Sequence, residues 1–504
     1  MGLKALHAAV DRRAEDVKNK SLEEMPAMSI AFPAPDADVV ARREAIIEGL
    51  SALVAPESLV TTEDERRAFE TDGLTAYRKM PLAVVLPSTT REVSAVMAFC
   101  HANGVRVVPR GAGTSLAGGA IAQEDAIILG VGKMTRILDL DFANRIARIE
   151  AGITNLAISG AVAHEGFFYA PDPSSQLACT IAGNIAMNSG GAHCLKYGVT
   201  TNNLMGVTLV TNDGTVVELG GEHLDSGGYD LLGLICGSEG QLGIVTEATV
   251  RILRAAEGAR PALVGFSSVE DAGACTAAII AAGIIPVAIE YMDREAILIT
   301  DDFAKAGYPR DAAAMLIIEV EGSDEECTDM LARIEAIAAG FNPTSIRVSK
   351  SEAESAAIWK GRKSAFGATG RISDYICMDG TIPTGQLGHV LERIEAICAE
   401  QGLRVANVFH AGDGNLHPLI LFDINKPGEL QKAEAAGDAI LKLCVEVGGC
   451  LTGEHGVGIE KRELMRFQYT QDDLEQQMRV RNVFDPAWLM NPAKVFPLEG
   501  RIAA

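Results

Sequence analysis

One stretch of the chain restricts the fold more than any other, a strand–helix–strand pattern that runs directly into a glycine-rich loop. Residues 82–86 are short and apolar, and Thr89 with Glu92 three positions later predicts a capping box that opens a helix. Residues 105–108 predict a second strand, and residues 109–119 form the loop. This order of elements predicts the beginning of an α/β unit.

The glycine-rich loop predicts close contact between the backbone and an anion. Gly111, Gly113, Gly118 and Gly119 allow several N–H groups to turn toward one point, which is how proteins hold a pyrophosphate with few cations. The loop is not the nicotinamide fingerprint, because Gly111-Ala112-Gly113 has no third glycine at the usual place. Taken alone, the loop is equally consistent with a flexible surface segment.

A second group of small residues favours the ligand-binding interpretation. The run Pro171-Asp172-Pro173-Ser174-Ser175 precedes residues 180–184 and 188–191, which are too small to fill a core. Residues 212–214 predict a hairpin turn, and residues 237–246 lead from glycines into another strand. We therefore expect these segments to lie against a bound ligand.

The composition excludes several classes of function. The 504 residues predict two or three domains, and no apolar run approaches the ~20 residues that a membrane-spanning helix needs. A net charge of −23 disfavours nucleic acid and anionic lipid as partners. The ten cysteines include no C-x-x-C spacing, so we expect neither a disulfide framework nor an iron–sulfur cluster. Residues 1–24 lack an apolar signal core, which predicts a cytoplasmic protein.

Two histidines stand at the roots of a predicted hairpin near the C-terminal end. His410 follows one apolar run, His417 precedes another, and a Gly/Asp/Asn turn separates them. Downstream, Glu454 and His455 add a carboxylate and a third imidazole. Imidazole and carboxylate ligands suit Zn²⁺ or a similar divalent ion, so this set predicts a metal site. A metal alone would also suit a zinc hydrolase that activates water with Glu454 or His455.

Together and in this order, the loop at residues 109–116 and the segments at 171–175, 183–191 and 237–245 resemble the FAD-binding domain of the vanillyl-alcohol-oxidase superfamily. Residues 410–418 and 453–458 resemble the branch that oxidises D-2-hydroxy acids. Within that branch, residues 169–176 and 404–410 are similar to the FAD-linked subunits of bacterial glycolate oxidases, also called glycolate dehydrogenases. The likeness extends over about residues 40–497.

The resemblance implies an α+β fold in which a FAD-binding domain of two subdomains is covered by a second domain. The second domain is an antiparallel-sheet cap backed by helices, which agrees with the alternating strand and helix patterns after residue 314. The expected divisions are an N-terminal extension at 1–38, the FAD-binding domain at 39–258, the substrate-binding cap domain at 259–450, and a C-terminal segment at 451–504 that returns to the FAD-binding domain.

The resemblance also implies which residues hold FAD. They are Pro109, Arg110, Gly111, Ala112, Gly113, Thr114, Ser115, Pro171, Asp172, Ser174, Thr180, Gly183, Asn184, Asn188, Gly190, Gly191, Tyr197, Glu239, Gly243, Ile244, Val245, Asn491 and Lys494. In some superfamily members a histidine of the glycine-rich loop bonds the flavin covalently. This chain has Thr114 and Ser115 there, so we expect non-covalent FAD.

At the substrate, the resemblance implies a division of roles. His410, His417 and Glu454 would hold the divalent metal, with zinc the first expectation. Flavin N5 would take a hydride from the 2-hydroxy acid while His455 acts as general base. Arg362 would clamp the substrate carboxylate, which its planar guanidinium suits better than an ammonium would.

The predicted substrate pocket departs from relatives that act on 2-hydroxyglutarate. Those relatives tend to have Thr, Lys and Asn where this chain has Phe366, Cys377 and Leu419, and Arg362 and Asn415 complete the pocket. An apolar wall would leave a second carboxylate desolvated and unpaired. We therefore expect a small monocarboxylic acid, glycolate first, with D-lactate or D-2-hydroxyglutarate as the alternative.

The resemblance implies partners for electron transfer as well. Since the chain has no iron–sulfur motif, a separate iron–sulfur subunit and a second flavin-type subunit would carry electrons toward quinone. Any contact with the inner membrane would then go through those partners. A subunit that binds FAD without catalysis is a further alternative, which the presence of His410, His417, Glu454 and His455 disfavours.

Overall fold

The computed structural model describes residues 30–223 and 227–498. Most of the predicted N-terminal extension lies outside the described residues. The described residues form a four-stranded sheet, a five-stranded sheet, a two-stranded ribbon and a seven-stranded sheet, with helices between and around them. This architecture confirms the predicted α+β class. Among the described helices, none is long and apolar enough to cross a membrane.

The first sheet contains the strand–helix–strand unit predicted from the sequence. Its strands are β1 (Leu59–Val60), β2 (Val84–Val85), β3 (Arg106–Arg110) and β4 (Ala126–Gly130). They lie in the order β1-β2-β4-β3, with β2, β4 and β3 parallel. Thr89 caps the intervening helix as predicted, but the Glu92 carboxylate accepts from the backbone N–H of Ser88, so only half of the capping box forms.

The second sheet is antiparallel throughout. Its strands are β5 (Ile137–Asp141), β6 (Ile146–Glu150), β8 (Leu204–Val210), β9 (Val216–Gly220) and β10 (Ile244–Arg251). Their order is β5-β6-β10-β8-β9, and β7 (Phe167–Phe168) pairs separately with β11 (Leu253–Arg254). The predicted turn at residues 212–214 joins β8 to β9, with Gly214 at φ 87°.

The third sheet has seven antiparallel strands and carries the histidine hairpin. Its strands are β12 (Gly258–Phe266), β13 (Ala288–Asp293), β14 (Ala314–Gly322), β15 (Pro343–Val348), β16 (Asp374–Cys377), β17 (Arg404–His410) and β18 (Pro418–Phe422). Their order is β15-β12-β14-β13-β17-β18-β16. The predicted antiparallel cap sheet and the β17–β18 hairpin are confirmed.

Both faces of this third sheet are covered, because side chains alternate along each strand. Leu316 and Ile318 of β14 belong to a core that includes residues of six helices. Met315 and Ile317 belong to the opposite core, which includes residues of the helices Arg294–Ala304 and Glu352–Gly370. The second face is the one that carries the candidate site.

The α-helices of the described chain are mostly short in the FAD-binding part and longer around the third sheet. In the first part they are Ala37–Ala41, Arg43–Ser51, Glu63–Arg66, Thr90–Asn103, Asn155–Val162, Ile181–Met187, Cys194–Tyr197, Thr200–Asn203 and Leu231–Ile235. Later they are Val269–Ala281, Arg294–Ala304, Asp324–Ala338, Glu352–Gly370, Leu387–Glu400, Glu429–Glu446, Met465–Gln468 and Gln471–Phe484. Single 3₁₀ turns lie at Pro56–Ser58, Arg67–Phe69, Ala163–Glu165, Ala339–Phe341, Thr384–Gln386 and Arg462–Leu464.

The C-terminal segment lies against the edge strand of the first sheet. Met490 pairs with Val107 of β3 in a parallel bridge, and the N–H of Asn491 donates to the Val107 carbonyl at 2.7 Å. This contact covers a strand edge that would otherwise be unpaired on that side. The expected domain limits at residues 38, 258 and 450 stay predictions.

Candidate active site

A cavity of about 360 Å³ joins the predicted flavin segments to the histidine hairpin. The glycine-rich loop, residues 173–189 in part, and residues 238–245 in part form one portion of its wall. The rest of the wall includes Lys363, Phe366, His417, Glu454 and His455. The segments that the sequence marks as ligand-binding therefore share one space with the candidate metal ligands.

Most of the residues predicted to hold FAD line this cavity. They are Pro109, Arg110, Gly111, Ala112, Gly113, Thr114, Ser115, Ser174, Thr180, Gly183, Asn184, Glu239, Gly243, Ile244, Val245 and Asn491. The structure places the other predicted residues outside the cavity lining: Pro171, Asp172, Asn188, Gly190, Gly191, Tyr197 and Lys494. Sequence reasoning missed apolar lining residues such as Leu129, Val131 and Ile185, which give no motif signal.

Some of the residues outside the lining have structural contacts instead. The Gly190 N–H donates to Glu454 Oε2 at 2.9 Å, and Asp172 Oδ1 accepts from the His193 N–H at 3.1 Å. The ammonium of Lys494 is buried and donates to the Ile121 carbonyl at 2.7 Å. Burial lowers the pKa of Lys494 to about 7.

The shape of the cavity wall fits FAD. A Cβ on Gly111 would collide with the Thr180 hydroxyl, and a Cβ on Gly240 would come within 2.9 Å of Pro109 Cγ. Glycine is therefore required at these two positions, where the glycine-rich loop lies against the segments that contain Thr180 and Gly240. A pyrophosphate cradle needs such close backbone approach. The aliphatic side chains of Ile244 and Val245 offer apolar surface for an aromatic ring system.

Strand alternation explains why the metal-type ligands face the same side. Glu290 of β13 pairs directly with His410 of β17, in the same register that pairs Met292 with Val408. Met292 and Val408 lie in the core beside the helix Glu352–Gly370, so Glu290 and His410 point to that face too. His417 directly precedes β18 and reaches the same place across the turn, its ring centroid 5.1 Å from that of His410.

His410, His417 and Glu454 form a triad of possible metal ligands in which the two histidines are buried and Glu454 is partly buried. One ligand atom from each lies within 4.8 Å of the others. Glu454 Oε1 is 3.1 Å from His417 Nε2 and 3.5 Å from His410 Nε2. Burial alone would raise the pKa of Glu454, but the two imidazoles outweigh it and hold the pKa well below its ordinary value. The predicted ligands are thus brought together.

Glu290 connects this triad to Arg362. Its Oε1 lies 2.7 Å from His410 Nδ1, and its Oε2 lies 2.6 Å from Arg362 Nη2. The side chains of all three residues are fully or nearly fully buried. Burial lowers the pKa of His410, but the charges of Glu290 and Glu454 outweigh it and raise the pKa well above its ordinary value. Arg362 pairs with Glu290 and is not among the cavity-lining residues, whereas the next residue, Lys363, is.

A second buried carboxylate, Asp379, holds the loop that carries Glu454 and His455. It accepts hydrogen bonds from the backbone N–H groups of Gly453, Glu454 and His455 at 2.9–3.1 Å. Lys461 Nζ lies 3.2 Å from Asp379 Oδ2, and Asn415 Nδ2 donates to Oδ1 at 2.9 Å. The last contact ties the loop to the turn of the histidine hairpin.

His455 is placed as a neutral imidazole beside this triad. Its ring stacks on His417 with centroids 4.9 Å apart, and it lines the cavity. Burial lowers the pKa of His455 to about 4 despite the opposing charge of Asp379. A neutral ring is the form that can accept a proton.

The predicted substrate-pocket side chains cluster beside the histidines. Cys377 of β16 pairs with Leu419 of β18, and both belong to a buried core against which Phe366 and Leu116 pack. The Phe366 ring lies 6.3 Å from that of His417. Leu116, from the glycine-rich loop, and Phe366 line the cavity. The predicted pocket residues Cys377, Leu419 and Asn415 are not among the lining residues, and Cys377 and Leu419 belong to the core against which those two side chains pack.

Comparisons with known proteins agree with this geometry. Residues 81–220 match the family described as FAD binding domain, and residues 256–495 match FAD linked oxidases, C-terminal domain. The chain is 48% identical over 470 residues to the glycolate oxidase subunit GlcD of Escherichia coli (strain K12), with 93% of each chain covered. It is 36% identical over 456 residues to the protein of the same name from Bacillus subtilis (strain 168), covering 90% of this chain and 97% of that protein.

A solved structure with the same fold is 4-ethylphenol oxidase from Gulosibacter chungangensis, at a TM-score of 0.78 and 15% identity over 94% of this chain and 100% of that one. The two family matches and the relatives define the class as a FAD-dependent oxidoreductase, and the glycine-lined cavity agrees with it. More narrowly, the chain belongs to the FAD-linked oxidase family that includes the GlcD proteins. The predicted family and the FAD cofactor are confirmed.

Sequence reasoning missed Glu290, Asp379 and Lys461. These residues do not line the cavity, but they form buried hydrogen bonds and ion pairs that hold the site residues in place. Only Glu290 leaves a recognisable signal, since it is a charge in the middle of the buried strand β13, and such charges are rarely buried unless they are paired. Its partners His410 and Arg362 lie too far away in sequence for any local pattern to identify them.

Replacing Glu290 tests the buried charge cluster. Glu290→Gln should lower the free energy of unfolding by about 3–5 kcal/mol, because it leaves the Arg362 guanidinium buried without its counter-charge. The matched control is Glu295→Gln, whose partner Arg404 is largely exposed, and it should cost at most about 1 kcal/mol. Chemical denaturation at pH 7 measures both, and equal costs would contradict a buried ion pair.

Proposed function

We propose that this protein catalyses the FAD-dependent oxidation of a small 2-hydroxy acid, with glycolate converted to glyoxylate. The observation that carries the proposal is the shared cavity, in which the FAD-type wall meets His417, Glu454 and His455. Oxidation at a hydroxyl-bearing carbon needs a hydride acceptor and a proton acceptor within one water-excluded space. FAD, when bound, supplies the hydride acceptor, and the E. coli and B. subtilis relatives are named as glycolate oxidase subunits.

The proposal includes a divalent metal held by His410, His417 and Glu454, and zinc is the expected ion. The donor set of two imidazoles and one carboxylate is one that catalytic zinc sites use, leaving a position open for substrate oxygen. A bound ion of this kind supplies a Lewis acid that makes the substrate hydroxyl easier to deprotonate. Glu290 fits the supporting role, since its carboxylate lies against the outer nitrogen of His410 and fixes the ring.

His455 is the proposed general base. It is held by its backbone N–H on Asp379 and by stacking on His417, so the ring is fixed at the metal end of the cavity. The neutral imidazole takes the hydroxyl proton as the hydride leaves the carbon. Arg362 is the proposed partner of the substrate carboxylate. Its guanidinium is paired with Glu290 outside the cavity lining, one residue before the lining residue Lys363, so this role requires the guanidinium to turn toward the cavity.

The apolar wall supports a small substrate. Phe366, Cys377 and Leu419 offer no buried cation or amide to a second carboxylate, and a desolvated unpaired charge is costly. Glycolate places only hydrogens toward this wall, and D-lactate would place one methyl group there. D-lactate is therefore the second candidate, ahead of D-2-hydroxyglutarate.

Electron transfer beyond the flavin is proposed to use other subunits. The sequence has no C-x-x-C spacing for an iron–sulfur cluster, so the expected partners are an iron–sulfur subunit and a second flavin-type subunit. The net charge of −23 gives no basic surface for lipid, so the proposed location is cytoplasmic, with inner-membrane contact through partners.

The substrate proposal is tested by anaerobic flavin bleaching. The purified FAD-loaded protein, with its metal content measured on the same sample, is mixed with glycolate, D-lactate or D-2-hydroxyglutarate. Glycolate should reduce the flavin with the highest second-order rate constant, and D-2-hydroxyglutarate should be slower by about 10²-fold or more because of its unpaired carboxylate. A preference for the dicarboxylic acid would overturn the pocket argument, and no bleaching with any of them would overturn the function.

The base is tested by His455→Gln, with His389→Gln as the exposed control on a helix far from the cavity lining. The His455 variant should retain FAD but lose about 10²–10⁴-fold in the rate of flavin reduction by glycolate, the usual contribution of a positioned base. The control should retain the wild-type rate. FAD absorbance after gel filtration checks cofactor retention, and an undiminished rate in His455→Gln would contradict its role.

A further inference from the structure

A second group of metal-type ligands lies behind the proposed catalytic triad. Cys377, His417 and His455 each place one ligand atom within 4.8 Å of the other two. Their side chains come from the end of β16, the root of the hairpin and the loop after Gly453, so three separate segments converge there. Cys377 and His417 are 4% and 2% exposed, which takes this group out of bulk water.

The two imidazoles have unused nitrogen atoms in this region. His417 Nε2 faces Glu454, but His417 Nδ1 and His455 Nδ1 are buried and have no hydrogen-bond partner within the part of the chain that the structure describes. Buried polar atoms without partners are uncommon and call for an explanation. A cation between the thiol and the two rings would satisfy both nitrogens.

The spacing is close to what such an ion requires. Zinc–sulfur and zinc–nitrogen bonds of about 2.3 and 2.0–2.1 Å place ligand atoms on a tetrahedral ion roughly 3.5 Å apart. Since no two of the three ligand atoms are more than 4.8 Å apart, shifts on the order of 1 Å are enough, within reach of side-chain rotation. The carboxylate of Asp379 lies 3.9 Å from His417 Nδ1 and offers outer negative charge, partly balanced by Lys461.

The donor types select the kind of ion. One sulfur with two imidazoles suits soft or borderline cations such as Zn²⁺, Cd²⁺ or Cu⁺, and it is a poor site for Mg²⁺ or Ca²⁺. The thiol gives up its proton to solvent when the sulfur coordinates, and no electron transfer is involved.

We propose that Cys377, His417 and His455 form an inhibitory site for a thiophilic cation, separate from the site made by His410, His417 and Glu454. Both sites use His417, and the inhibitory site also takes the nitrogen lone pair of His455. An ion there removes the base, and its bond to His417 Nδ1 releases the proton of that nitrogen to solvent, which alters a ligand of the catalytic metal. The inhibitory consequence rests on the proposed function, but binding of the ion itself does not.

Zinc titration of the FAD-loaded protein tests the site. With one equivalent of zinc, X-ray absorption should show only nitrogen and oxygen neighbours at about 2.0–2.1 Å; with excess zinc, a sulfur neighbour should appear at about 2.3 Å. Cys377→Ser should lack the sulfur neighbour. Cys398→Ser, a buried cysteine in the helix Leu387–Glu400, is the matched control and should retain it.

Flavin reduction by glycolate is then measured at each zinc concentration and normalised to the zinc-poor rate of the same variant. Excess zinc should suppress reduction in the wild type and in Cys398→Ser. In Cys377→Ser the zinc concentration for half inhibition should rise by at least ~10-fold, since loss of even an outer-shell contact commonly costs 10–100-fold in affinity.

The two proposals fail in distinguishable ways. If glycolate reduces the flavin but excess zinc gives no sulfur neighbour, or gives one that persists in Cys377→Ser, the inhibitory site is overturned while the function stands. If the sulfur neighbour depends on Cys377 but no 2-hydroxy acid reduces the flavin, the cation site stands and the proposed function fails.

Discussion

The buried carboxylate of Asp379 is the interaction on which the rest of the site depends. Burial works to raise its pKa, but neighbouring positive charge, including that of Lys461, lowers the pKa below its ordinary value. Its oxygens accept from three successive backbone N–H groups of the loop and from Asn415 of the hairpin. A buried charge is tolerated only while such partners remain, so the loop, the hairpin and β16 are stabilised as one unit.

Glu239 has the corresponding role on the FAD-binding side. Its two carboxylate oxygens accept from the N–H groups of Val457 and Gly458 at 2.7 and 2.9 Å, and its own carbonyl accepts from Asn491. One short loop, residues 452–458, is therefore held by a carboxylate from each domain. Because Glu454 and His455 lie in that loop, the candidate chemistry is placed at the junction of the two domains and in contact with the cofactor cavity.

The sequence was informative wherever the determining interactions are local. The cap at Thr89 and the turn at Gly214 depend on residues a few positions apart, and both form, although Glu92 bonds to Ser88 and does not complete the capping box. The glycine-rich loop and the histidine hairpin were identified for the same reason. Strands β12 and β13 were missed, because neither alternates regularly between apolar and polar residues.

The supporting charges could not be found in this way, because they are defined by distant partners. Glu290 contacts His410, which is 120 residues away in the sequence, and Asp379 accepts a hydrogen bond from His455, which is 76 residues away. Motif resemblance identified Arg362 but not the direction of its side chain, which the pairing with Glu290 determines. Tertiary contacts of this kind follow from sheet register, which is itself a long-range property.

The identity of residue 377 links substrate size to metal selectivity. A lysine there would offer a charge to a second substrate carboxylate and would repel a cation from the neighbouring imidazoles, whereas a thiol does neither. In the proposed pocket, the apolar group of Phe366, Cys377 and Leu419 would therefore have two physical consequences: it would disfavour dicarboxylic acids, and it leaves a soft ligand beside His417 and His455. The proposed selectivity for a small acid and the proposed binding of thiophilic ions thus share one residue, the thiol of Cys377.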